Sequence, residues 1–136
     1  MKTRSWMLTG LAAFAVVFAL DLLIHTRVLV GLYQTTAAVW RPHSEAGARM
    51  ALMTLTQVAF GLAFAWVYTK GYEPATAGVT QGLWYGLYAG ALLVAYEGLT
   101  WYVVLPIPLV LPVAWLVSTF VKALAAGAVV GWLYRE

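Results

Sequence analysis

The stretch WMLTGLAAFAVVFALDLLIHTRVLV, Trp6–Val30, decides the fold class. It carries no charged side chain before Asp21. At a helical rise of about 1.5 Å per residue it is long enough to cross a hydrocarbon core of about 30 Å. Lys2 and Arg4 precede it as they would a secretory signal. However, the only early small-x-small match, Ala13-Phe14-Ala15, lies inside the apolar run, so the segment reads as an uncleaved first span.

Three further runs meet the same length criterion: Arg49–Thr69, Gly82–Val104 and Pro112–Tyr134. Gly71 is expected as a left-handed helix C-cap after the second, and Pro112 suits the first turn of the fourth. The chain therefore reads as a single all-α integral membrane domain over residues 1–136, a bundle of four transmembrane helices. Composition agrees. With 63% apolar residues against 10% charged, the chain cannot clothe a water-soluble surface.

The connections differ in kind. Gly31–Ala48 is too polar to cross, and Tyr33, Ala37 and Trp40 share one helical face, so a short interfacial helix is expected over about residues 32–41. Lys70–Gln81 is a polar loop, whereas Leu105–Leu111 is an uncharged turn broken by Pro106 and Pro108. Lys2, Arg4, Lys70 and Arg135 stand on one side, against Arg27, Arg41 and Arg49 on the other. That balance leans towards a bacterial-type inner membrane protein with both termini in the cytoplasm. The net charge of +3 is scattered over helix ends and points to no nucleic-acid partner. The absence of cysteine excludes disulfides, thiolate metal sites and cysteine nucleophiles.

Two segments align: GLAFAWVY (61–68) over GAVVGWLY (127–134). Upstream, Gln57, Gly61 and Ala65 fall on Ala123, Gly127 and Gly131. In the odd-numbered spans Gly10 falls on Gly86, Leu11 on Leu87 and Asp21 on Glu97. This pattern suggests two tandem helix hairpins related by a parallel duplication, with a rough two-fold axis along the membrane normal. Interface-loving Trp and Tyr would produce part of the likeness unaided, and most of the aromatic residues read as belt anchors.

Lipid gives helices no hydrophobic reason to associate, so small faces and polar contacts must hold them. Gly61, Gly86, Gly90, Ala123, Gly127 and Gly131 supply the small faces. The polar contacts centre on Asp21, about 22 Å along the helix from Trp6, and on Lys122, about 18 Å from Tyr134. His25 lies one turn beyond Asp21, Glu97 stands at a matching depth, and Gln57 with Thr56 faces the zone. An ion in hydrocarbon costs on the order of 2.5–3.5 kcal/mol on the lenient insertion scale, so these groups should meet. Lys122 is expected to pair with Asp21 or Glu97, leaving His25 or Arg27 for the other acid.

Such a cluster suits binding or passage of a proton, a cation or a small polar solute. The alternative is a structural ion-pair network in an accessory subunit that docks on a larger membrane complex or on its own copies. Asp21, His25 and Glu97 are weak metal candidates, and haem ligation by His25 and His43 has less behind it still; no cofactor is expected. Ser5, Ser44 and Ser118 adjoin no histidine, so nothing points to an enzyme. In size and span count the chain resembles the small multidrug transporters, which carry a functional glutamate in their first span. The resemblance stops at architecture: the first-span acid here is Asp21, late in its helix.

Overall fold

A computed structural model describes residues 3–135; Lys2, counted in the charge balance above, lies outside them. Four helices are long and apolar enough to cross a bilayer, and no strand occurs among the described residues. The chain is an all-α integral membrane four-helix bundle.

Helix α1 runs Thr3–Leu23 and continues as a π-turn over Ile24–Val28. Helix α2 (Val30–Thr35) and a 3-10 turn (Ala37–Val39) replace the single interfacial helix expected over 32–41. They return the chain to α3, His43–Tyr68. This second span starts six residues before Arg49 because Pro42 sets the entry and Arg41, Glu45 and Arg49 form a one-turn ladder over the polar segment.

Helix α4 covers Val79–Glu97 and α5 covers Thr100–Val104. The third span is thus broken where an unbroken helix was expected. Gly98 takes φ 46°, a left-handed conformation open to glycine, and ends α4. Gly71 does not play that part after α3: Gly78 and Gly98 are the positive-φ glycines among the described residues. Helix α6, Val110–Leu133, carries Pro112 in its first turn, where a missing N–H removes no helical hydrogen bond.

Two antiparallel pairs form, α1 on α3 and α4 on α6, and α1 joins them by packing along α6. Each pair meets through glycine. A Cβ on Gly61 would fall 2.5 Å from the Gly10 carbonyl oxygen, and one on Gly86 would fall 2.5 Å from that of Ala123. Gly82, Gly127 and Gly131 press backbone on backbone in the same way, and Gly90 seats Phe120 and Ala123. The small faces are therefore used inside this chain.

The interior has two cores. One, towards the face of the α3–α4 loop, buries Ala13, Val17, Ala65, Ala126 and Val130, with Phe64, Tyr68 and Tyr134. Tyr68 and Tyr134 are 2% and 1% exposed, so they are core residues and not the belt anchors expected from sequence; Trp66 and Trp132, two positions earlier, face outwards. Residues two apart on a helix point to nearly opposite sides, which separates the two roles. The other core sits at the opposite face, where Leu29, Ile107 and Leu111 pack beneath Tyr33, Trp40 and Trp115. It anchors the proline-broken connection through Leu105, Ile107 and Leu111, while Pro106 and Pro108 stay exposed. Between α3 and α4 the bundle parts into a lateral cleft lined by Phe60, Phe64, Tyr85 and Tyr88.

Candidate functional site

Asp21 lies at the centre of a polar knot between α1, α3 and α6. Its Oδ1 accepts from Lys122 Nζ at 2.5 Å and its Oδ2 from Gln57 Nε2 at 2.5 Å. The Asp21 and Lys122 side chains are 15% and 16% exposed. The pairing follows from depth and facing. Asp21 is late in α1, Lys122 is mid-way along α6, and those two helices pack together over this length.

His25, one turn on, brings Nε2 to 3.5 Å from Asp21 Oδ1. Its Nδ1 lies 2.5 Å from the Tyr33 hydroxyl, which also accepts a hydrogen bond from Trp115 Nε1 at 2.8 Å. The arrangement fits a neutral imidazole that offers Nε2–H to Asp21 and accepts the Tyr33 proton at Nδ1. Burial pushes the Tyr33 phenol above its ordinary 10.0; the bond from Trp115 opposes that shift, and the charge of Asp21 adds to it. Tyr33 therefore stays protonated and able to donate.

Two residues expected here are elsewhere. Glu97 stands at the end of α4, where its carboxylate reaches Thr119 Oγ1 at 3.5 Å, and among the described residues no basic side chain pairs with it. Arg27 lies on the exposed side of the π-turn. Equal depth did not imply equal facing. Thr56 turns back to the Leu52 carbonyl and takes no part. Asp21, His25 and Glu97 do not converge, and no set of three metal-ligating side chains gathers among the described residues.

Tyr33 and Trp115 were not anticipated as partners of the cluster. The only signal for Tyr33 was its place on the apolar face it shares with Trp40. In the fold the rings of Tyr33 and Trp40 meet at 5.5 Å and those of Trp40 and Trp115 at 6.0 Å.

Space adjoins the knot. A cavity of about 300 Å³ is lined by Asp21, His25 and Gln57 and walled by Phe18, Leu22 and Met53. A second, of about 660 Å³, shares His25 and Thr26 with it and opens beneath α2. From Asp21 towards the opposite face the interior is closed by the core around Val17, Ala13 and Val130. No protein-family model, curated protein or solved structure matches the chain.

Proposed function

We propose that the protein binds a proton or a small hydrogen-bond-donating solute at the Asp21 cluster, admitted from the face that carries α2. The observation behind this reading is the Gln57 amide. It gives its N–H to Asp21, and its Oε1 is left buried with no hydrogen bond from the protein. Turning the amide over would set that oxygen against the Asp21 carboxylate, so the orientation is dictated. A buried acceptor without a donor costs about 1–3 kcal/mol, and because Gln57 lines the cavity beside Asp21, a small movement of its side chain would bring that oxygen within reach of a proton-bearing occupant.

Lys122 narrows the choice among proton, cation and solute. It already neutralises Asp21 at contact distance, and Glu97 is not at hand to supply a second negative charge. A cation would have to displace an ammonium, whereas a proton or a neutral donor need not. Movement across the membrane would further require the core around Ala13 and Val130 to part.

A second proton on His25 would occupy Nδ1 and oblige the Tyr33 hydroxyl to turn, disturbing the bond it accepts from Trp115. Trp115 fluorescence in lipid nanodiscs is therefore the readout. The expected result is a one-proton transition that disappears in His25→Gln and in Trp115→Phe. A transition untouched by His25→Gln would overturn the reading. Proteoliposomes loaded with a pH dye separate binding from passage: inward acidification that is lost in Asp21→Asn would extend the function to proton transfer.

The accessory-subunit reading needs a surface other than the glycine stripes, which are occupied within the chain. One surface open to it is the start of α3, where every residue from His43 to Met53 is exposed.

We also propose that the hairpins arose by duplication. Residues aligned in sequence support this by meeting at matching places: Gly10 packs on Gly61, and Gly86 packs on Gly127. The aligned Tyr68 and Tyr134 approach each other at 5.9 Å, as equivalent residues do beside a two-fold axis. A clear test is whether residues 1–72 and 73–136, expressed as separate hairpins, reassemble on mixing; failure of either half to insert would count against two autonomous repeats.

A further inference from the structure

The two cavities adjoin at His25 and Thr26, which line both, and can be read together as one groove with chemically distinct ends. The larger end, about 660 Å³, is walled by Tyr33 and Trp40 and rimmed by Gln34, Arg41 and His43. The smaller end continues between α1 and α3 over Phe18, Leu22, Met50 and Met53. We propose that this groove holds one membrane lipid with an anionic headgroup, its head beneath Arg41 and His43 and one chain along Phe18 and Met53.

Charge carries the choice of head. Arg41 and Arg49 both lie 3.5 Å from the same Glu45 carboxylate, so one positive charge is left over on that strip. Among the described residues Gln34 and His43 hydrogen-bond to no other side chain, so their polar atoms are available to the cavity they line. The acid nearest the junction, Asp21, is already matched by Lys122 and does not repel an anion as a bare carboxylate would.

Shape carries the choice of lipid over a free anion. Inorganic phosphate would leave the apolar end of the groove unused, whereas a chain covers it. The aromatic wall formed by Tyr33 and Trp40 is of the amphipathic kind that sits at headgroup depth. The volume of the larger end falls in the range of about 300–1,000 Å³ usual for small-molecule sites. This assignment does not rest on the proton reading, because the groups it uses for the head, Arg41, Gln34 and His43, lie outside the Asp21 knot; a chain in the smaller end leaves that end open to a proton but not to a solute.

Native mass spectrometry of the detergent-purified chain, titrated with phosphatidylglycerol or with phosphatidylcholine of the same chains, tests it. The expected result is a one-to-one phosphatidylglycerol adduct that survives activation sufficient to strip phosphatidylcholine. Arg41→Ala should weaken it about fivefold, the effect of one basic group at a lipid surface. Met53→Trp, which fills the apolar end, should weaken it with Arg41 intact. Arg27→Ala removes an exposed charge on the same face but outside the groove and should leave it unchanged. Equal retention of the two lipids, an Arg27→Ala loss as large as that of Arg41→Ala, or displacement by millimolar inorganic phosphate would each overturn the proposal. Helical circular dichroism of each variant confirms that a lost adduct is not a lost fold.

Discussion

Asp21 and Lys122 illustrate how a costly residue is made tolerable in a membrane. Each side chain is about five-sixths buried, and each supplies the other's counter-charge. Removing one partner strands the other, which typically costs about 3–5 kcal/mol, while removing both leaves no ion to strand. Lys122→Met should therefore destabilise the protein strongly in an SDS-unfolding titration, and Asp21→Asn/Lys122→Met should recover most of the loss. A double variant as unstable as the single one would deny the coupling. Glu97→Gln, with only Thr119 near its carboxylate, should change stability far less. Tyr33 gives a pH prediction of definite sign. Its folded pKa is raised, so its contribution to stability is complete below its ordinary 10.0 and is lost as pH climbs through the higher folded value. Tyrosinate absorbance should show a late-titrating phenol that is absent from Tyr33→Phe. Asp21, His25, Gln57 and Lys122 were legible as a cluster because helical rise fixes depth, and depth limits which polar groups can meet. Glu97 and Arg27 were misjudged because rise says nothing about rotation; packing on α6 and the π-turn set that. Tyr33 and Trp115 lay beyond reach because their meeting depends on how α2 folds back over α6.

At the scale of elements, glycine sets the separation of each helix pair. Gly127→Leu would force a branched side chain into the Gly86 backbone, and Gly61→Leu would do the same against Gly10 and Phe14. Each should cost at least the 1–3 kcal/mol or so of ordinary overpacking, since backbone can yield less than side chains. Thermal stability in nanodiscs checks this, with Gly31→Leu, in open space, as the neutral comparison. The spacing of small residues announced these faces in advance. It did not announce whether they would be filled from within the chain or by a partner. The end of α4 was missed for a similar reason: Gly98 lies in an apolar run that hydropathy reads as continuous, and the break depends on a backbone angle. The Trp-x-Tyr endings were read as anchors because composition places both residues at interfaces, while helical phase sends Tyr68 and Tyr134 inwards.

The whole molecule is a bundle with cavities around the Asp21 cluster and a closely packed core beyond it. The chain has no cysteine, so single introduced thiols report on this cleanly. Thr26→Cys, beside the open groove, should react with a membrane-impermeant maleimide added from one side of sealed vesicles. Ala126→Cys, in a fully buried position, should react from neither side. Labelling of Ala126→Cys would mean that the packed core is permeable. The four-span architecture was readable from hydropathy alone, because lipid demands long apolar helices and admits few alternatives. The order in which the helices neighbour one another was not, since it depends on side-chain fit. That order has a mechanical consequence. The two hairpins are bound along α1 and α6 like the covers of a book along its spine, while α3 and α4 meet at the fore-edge through side chains, Tyr85 on the Phe64 carbonyl and Tyr68 on Gln81. The Asp21–Lys122 bond is stitched through that spine, and it is the one ion pair between the covers among the described residues. Whatever draws Asp21 away from Lys122 cuts the stitch, so a chemical event at one carboxylate would set how far the volume can open.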